Sequence, residues 1–326
     1  MKPVKIILDT DMGSDCDDAA ALAILHELAD EGKCELLAVT HCYQGKQLAG
    51  CIDAINRYYG RSDIPVGAFL PGSGAPVLED FYAGEIYKAF PNRFGEGEDC
   101  RDTVKVLRQA LSKAGDGEVT MAVIGSLYSM LKLMESEADE ISPLAGKDLV
   151  ARKVSRTVIM GGRFHEKWPG VVLSPKGYAV EAEFNIRSGI PAAQAVCENW
   201  PGEIVFCSFE IGCGFRTGAG LQERGSALNP VRESYRIWHE NTGVKEIGRE
   251  SWDPATVLYA ACPEMGLWEI HGWGKISVDD KGVTTWKPEA DGKHAFLVQA
   301  ASAEDARRAI DEILERDIKR TDRKEA

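Results

Sequence analysis

The chain has 326 residues, 44% of them hydrophobic, and 38 basic against 51 acidic residues give a net charge of −13. So acidic a chain is a poor binder of phosphate backbones, which demand a basic face. Its composition excludes disordered, collagen-like and coiled-coil proteins, and no apolar run reaches the roughly 18 residues of a membrane span.

Strand and helix patterns alternate along the chain. Val4 to Leu8 is β-branched and nearly all apolar, as a strand buried on both faces requires. Asp17 to Ala29 reads as a helix: it opens on carboxylates, which suit the positive end of the helix dipole, and carries Ala20, Ile24 and Leu28 at helical spacing. A strand at Glu35–Thr40, a helix at Leu48–Tyr59 and an extended segment from Ile64 follow. Pro71 to Gly74 is a loop, and Ala75 to Cys100 mixes aromatic and turn residues and reads as irregular. Beyond it come a helix at Thr103–Lys113, a strand at Val119–Ile124, a helix at Leu127–Ala138 and a strand at Thr157–Met160. Pro191–Glu198 reads as a helix and Ile204–Phe209 as a strand; helices dominate from Pro230 to Ala261. His294–Gln299 is a late strand, and Ala303–Arg320 an amphipathic helix with Ala306, Ile310, Ile313, Leu314 and Ile318 on one face. No repeat or linker interrupts this alternation. We therefore expect one domain over residues 1–326, a three-layer α/β/α arrangement around a mostly parallel twisted sheet. Ligands of such Rossmann-like sheets sit beyond the C-terminal ends of the strands.

Nine cysteines are scattered from Cys16 to Cys262 without a CxxC pair, and six histidines form no zinc pattern. With no signal-peptide pattern in Met1–Asp11 either, reduced thiols and a cytoplasmic protein are expected. Gly214 to Gly220 has spaced glycines but lacks the strand before and the acid after that a dinucleotide site needs.

The densest chemistry follows the first strand: Asp9, Asp11, Asp15, Asp17 and Asp18 put five carboxylates within ten residues. An acidic loop that merely caps a helix uses one or two. Their mutual repulsion calls for a cation, and an oxygen-only donor set favours Ca²⁺ or Mg²⁺. An EF-hand is excluded, because position 12 of its loop must be Glu and here is Ala20 or Leu22, counting from Asp9 or Asp11. The phosphatase Asp-x-Asp pattern wants Thr or Val where Gly13 stands.

The cluster resembles the signature of the calcium-dependent, inosine-uridine-preferring nucleoside hydrolases, Asp-x-Asp-x-Gly-x-Asp-Asp. Two further residues separate Gly13 from the final pair, so Asp15 or Asp17-Asp18 could fill each role; we take Asp17-Asp18, because the helical run Ala19–Ala23 follows directly. Five more stretches are similar to the family in the same order: Arg61-Ser62-Asp63-Ile64-Pro65-Val66, Val123-Ile124-Gly125, Met160-Gly161-Gly162, Ala182-Glu183-Phe184-Asn185 and Trp252-Asp253.

The resemblance implies Ca²⁺-dependent hydrolysis of the N-glycosidic bond of a ribonucleoside to ribose and free base. It implies that Asp11 ligates calcium and acts as general base, and that Asp18, Asp253 and the Ile124 carbonyl complete the protein ligands. Asp17, Glu183 and Asn185 would hold the ribose, with Asp9 behind the ligands. It also implies a homodimer or homotetramer with a small nucleoside as its partner, not a nucleic acid or a membrane. The chemistry is coherent: an oxocarbenium-like sugar needs an activated water and carboxylates that stabilise positive charge.

Several positions depart from the family. Trp252 stands where many members have the His that protonates the leaving base; purine-specific relatives place Trp there, so stacking on a purine is expected, against packing as a core aromatic. Phe81, Tyr82 or Trp168 would form the second wall. The family's Gly-Asn after the second strand is replaced by Cys42-Tyr43-Gln44-Gly45, which makes Gln44 a candidate ribose contact; His41 and His165 are candidate acids. Altered sugar and base contacts leave two alternatives: hydrolysis of a modified riboside, or calcium-dependent binding of a riboside without turnover.

Overall fold

The computed structural model describes residues 2–164 and 182–325. Its first half runs β1 (Val4–Thr10), α1 (Asp17–Asp30), β2 (Cys34–Gln44), α2 (Lys46–Tyr58), β3 (Val66–Phe69), α3 (Ala83–Ala89), α4 (Thr103–Lys113), β4 (Val119–Val123), α5 (Tyr128–Met134), α6 (Gly146–Lys153) and β5 (Val154–Met160). Next come α7 (Phe184–Arg187), α8 (Ile190–Asn199), β6 (Ile204–Cys207), α9 (Phe209–Gly212), β7 (Arg216–Thr217), α10 (Ala219–Arg224), α11 (Pro230–Thr242), β8 (Arg249–Glu250) and α12 (Trp252–Ala261). The C-terminal part holds β9 (Trp268–Ile270), β10 (Gly274–Val278), β11 (Thr284–Pro288), β12 (His294–Gln299) and α13 (Ala303–Glu325).

The main sheet has the order β11-β10-β12-β6-β5-β4-β1-β2-β3, with β9 beside β12. From β12 to β3 every pairing is parallel; only β9, β10 and β11 pair antiparallel. The expected mostly parallel α/β sheet is what forms.

Its strands are buried on both faces, and alternate residues serve two cores. Ile6 and Leu8 of β1 point into one, with Ala122, Val158 and Val205. Ile7 points into the other, with Met121, Ile159 and Phe206. The first core is closed by α1, α12 and α13, the second by α4, α5 and α8. Four inaccessible alanines in α1, Ala19, Ala20, Ala21 and Ala23, let that helix lie close to its neighbours. Ala306, Ile310, Ile313 and Leu314 of α13 are buried as their spacing predicts.

Ala75–Cys100 is less irregular than its composition suggests. Asp80 caps α3, accepting from the backbone N–H groups of Tyr82, Ala83 and Gly84, and Ile86 anchors the helix in the core. Tyr82 is buried with it.

Strand order reverses between β1 and β4: β2 and β3 extend to one side, β5 and β6 to the other. The chains leaving β1 and β4 therefore part in opposite directions and open a crevice at their C-terminal ends. The aspartate loop follows β1 and Ile124 follows β4, so both meet there.

Candidate active site

A cavity of about 430 Å³ occupies this crevice. Asp11, Asp17, Asp18, Ile124, Glu183, Asn185, Trp252 and Asp253, drawn from four separate stretches of sequence, all line it. Asp9 does not; it is fully buried behind the cavity and accepts a hydrogen bond from Thr40 Oγ1 at 2.6 Å.

Local backbone explains how the acidic loop reaches this place. Gly13 has φ +126°, and a Cβ there would lie 3.2 Å from Ala83, Asp80 and Leu78. The loop is braced from outside. Gly13 O accepts from Phe81 N at 2.9 Å, and Ser14 O accepts from Trp238 Nε1 at 3.1 Å.

Asp17, Asp18 and Asp253 form the closest acidic group: one carboxylate oxygen from each lies within 4.8 Å of the others. The start of α12 is tied to α1, because Asp253 N donates to Asp17 Oδ2 at 3.1 Å. Thr10 Oγ1 donates to Asp18 Oδ1, while the buried Asp18 Oδ2 has no partner. The resemblance assigns Asp17 to the sugar and Asp11 to the metal. In the structure Asp17 belongs to the triad, and Asp11 lines the same cavity beside it, accepting from Ser14 Oγ at 3.0 Å.

Burial, then mutual repulsion, raises these carboxyls. Asp17, Asp18 and Asp253 are held well above the ordinary carboxylate range. Burial lifts Asp11 to about 7 and Asp9 to about 8. Such a cluster fits a hard dication. Oxygens on one Ca²⁺ at 2.3–2.6 Å are at most about 5 Å apart, and an orphaned buried carboxylate oxygen is a ready ligand. The donor set is all oxygen, which disfavours zinc and other softer metals.

Glu183 caps α7. Its carboxylate accepts from Asn185 N, Ile186 N and Gly162 N at 2.8, 3.1 and 3.3 Å, and burial raises it to about 7 despite those donors. Asn185 Nδ2 donates to Ile124 O at 3.0 Å and Met160 O at 3.2 Å, joining the ends of β4 and β5.

Asp15 lines the cavity but stands outside the triad. Arg249 holds it in a fork, Nε to Oδ1 at 2.8 Å and Nη2 to Oδ2 at 2.6 Å. That guanidinium lies 4.7 Å from the Trp238 ring centre and 4.9 Å from that of Trp252. Trp252 is half-buried, donates Nε1–H to Phe209 O at 2.9 Å, and stacks on Phe209 at 5.5 Å and 28°. Gly212 allows this approach, since a Cβ there would lie 2.4 Å from Trp252 Cα. The aromatic partner of Trp252 is thus Phe209. Phe81 also lines the cavity, Tyr82 does not, and Trp168 lies outside the described residues.

His41 is not a candidate acid in this arrangement. It is fully buried away from the cavity; its Nδ1 accepts from Tyr43 N and its Nε2 therefore donates to Met12 O. Burial lowers it to about 4. His165 lies outside the described residues. Gln44 donates to Ala75 O and does not line the cavity; its neighbour Tyr43 does. Sequence reasoning missed Tyr43, Phe209, Arg163, Arg187 and Arg249, which carry no family motif.

Comparison with known proteins bears on the family and the fold. The sequence pattern described as inosine-uridine preferring nucleoside hydrolase matches residues 6–308. No curated protein matches the chain. Among solved structures, a purine-preferring ribonucleoside hydrolase from Gardnerella vaginalis superposes with a TM-score of 0.72 at 15% identity, covering 97% of this chain and 99% of that one. A plant nucleoside hydrolase gives 0.68 at 20%, covering 96% and 99%. The inosine-uridine preferring nucleoside hydrolase of Bacillus anthracis gives 0.66 at 16%, covering 97% and 99%. A match of that extent shows that the chain belongs to the inosine-uridine preferring nucleoside hydrolase family and is an N-ribosyl hydrolase.

Proposed function

We propose that this protein is a Ca²⁺-dependent hydrolase of purine ribonucleosides. The observation that carries the reading is the meeting, in one cavity, of a buried carboxylate triad with Asp11, Glu183 and Asn185. Asp18, Asp253 and the Ile124 carbonyl would hold the ion, with Asp11 and Asp17 completing the oxygen set. When bound, calcium supplies Lewis acidity toward water and the sugar hydroxyls.

The remaining steps belong to the chain. Asp11 accepts the proton of the attacking water. Glu183 and Asn185 orient the ribose. The carboxylates around it stabilise the positive charge that develops on the sugar as the C–N bond breaks. Water adds to the sugar carbon, and the departing base takes a proton.

In this reading the base, made more basic by stacking on Trp252, takes that proton from solvent. The aromatic wall of Trp252, Phe209 and Phe81 favours the larger purine ring and shields it from water. An altered sugar contact, Tyr43 in the cavity and Gln44 out of it, supports a second reading in which the riboside is a modified one. We take the protein to be cytoplasmic and a homodimer or homotetramer, which sedimentation would check.

The deciding experiment is sugar release from inosine, guanosine, adenosine, cytidine and uridine, with EDTA and with calcium restored. Chelator-sensitive cleavage of the purines, abolished by Asp11→Ala, is expected. Full activity of Asp11→Ala would overturn the mechanism. Calcium-dependent binding of nucleosides with no cleavage would favour a binding protein.

A further inference from the structure

A neutral nucleoside leaves part of this cavity unexplained. Seven carboxylates line it, and so do three guanidiniums, those of Arg163, Arg187 and Arg249. Arg249 is already matched by Asp15 and Glu250. Arg187 is not: it is exposed at the cavity and forms no ion pair among the described residues. Its natural partner would be Glu183, one helical turn earlier, at the spacing where Glu and Arg normally pair. That carboxylate is instead turned inward onto three backbone N–H groups and feels Arg187 only through its charge, without a hydrogen bond.

The Arg187 guanidinium is held over the Phe184 ring at 5.4 Å, a contact that orients it, and Phe184 lines the same cavity. An oriented, unmatched fork is the group that carboxylates and phosphates dock on in pairs of hydrogen bonds. Elsewhere the lining carboxylates repel an anion, so such a substrate can enter in one orientation only.

We propose that the riboside taken by this cavity carries an anionic group, a phosphate or a carboxylate, which Arg187 receives. The inference rests on the reading of the cavity as an N-ribosyl hydrolase site. Either a phosphate on the sugar 5′ position or an acidic substituent on the base would supply the charge.

Calorimetric titration of the calcium-loaded protein separates these sources with two matched pairs. One is inosine and inosine 5′-monophosphate; the other is adenosine and its N6-(1,2-dicarboxyethyl) derivative. Each is run on wild type, Arg187→Ala and Arg187→Gln, with melting temperature as the folding control. Sugar release is followed on the same compounds. One anionic member is expected to bind about tenfold or more tighter than its neutral partner, as charged hydrogen bonds provide, and both variants should erase the advantage. An advantage that survives in both variants would place the anion on the metal and overturn the proposal. Equal or weaker binding of both anions would also overturn it, and if inosine is still hydrolysed the function stands without it. Failure of all four compounds to bind would remove both readings together.

Discussion

The pair Asp15–Arg249 offers a test of what holds the acidic loop in place. Replacing Arg249 by Ala leaves Asp15 unmatched beside Asp17 and removes a cation lying 4.7 and 4.9 Å from two indole ring centres. Breaking a fully buried pair from one side costs about 3–5 kcal/mol. Here the side chains keep 18% and 25% of their exposure, so solvent screening brings the loss down to about 2 kcal/mol. The two cation–π contacts add about 0.5–1 kcal/mol each. We therefore expect Arg249→Ala to cost about 3–4 kcal/mol. Unfolding entropy near 2.1 cal/mol/K per residue, taken over 326 residues, converts this to a fall in Tm of about 5 °C.

The assay is a double-mutant cycle by calorimetry, with Arg249→Ala, Asp15→Ala and both together, each in EDTA and in calcium. The double variant should be less destabilised than the two single losses combined, because Asp15 without Arg249 is itself a liability. Calcium should raise the Tm of Arg249→Ala by more than that of wild type, since the cation offsets the carboxylate left unmatched. Single losses that add within about 0.5 kcal/mol would refute the reasoning, for they would mean that neither side chain supports the other.

Other outcomes follow from the same geometry. Asp9, Asp11 and Glu183 are raised in the metal-free fold, so it holds more protons than the unfolded chain once pH exceeds about 4. Their stabilisation is complete below that pH and is lost as pH rises through 7 to 8. Urea midpoints in EDTA should therefore fall from pH 5 to pH 8, and calcium should largely remove the fall; a metal-free protein firmer at pH 8 would contradict this. Trp252→Ala should raise KM for purines by about 5- to 100-fold, the value of one stacked base, and an unchanged purine-to-pyrimidine ratio in kcat/KM would exclude stacking. Gly13→Ala should cost about 1–3 kcal/mol and weaken calcium binding, because Ala resists φ +126° and its methyl would press on Ala83, Asp80 and Leu78; thermal melts and calcium titration would show both.

Much of the architecture was legible in short stretches. A doubly buried strand must be apolar along its length, so Val4–Leu8 could be little else, and α4 occupies Thr103–Lys113 as its pattern indicates. The acidic cluster was equally plain, because five adjacent carboxylates have few uses apart from a cation. The antiparallel strands β9 to β11 escaped notice, being only three to five residues long and half-exposed. Helix α3 escaped because its stability comes from Asp80 and from burial of Ile86, not from a long apolar stripe.

Local pattern and motif thus settled the strand–helix alternation, the family and the oxygen-rich loop, since each depends on residues near one another in the chain. Which carboxylates share a site depended on folding. Asp253 reaches Asp17 across 236 positions, and Asp15 is drawn away by Arg249 across 234. The same holds for His41, chemically able to be an acid yet locked under the loop by Met12 O, and for Phe209, which no motif marks but which α9 brings to Trp252. Spacing along the chain reports periodicity and local caps, whereas pairing, burial and the resulting proton affinities are set by the reversal of strand order that opens the crevice between β1 and β4.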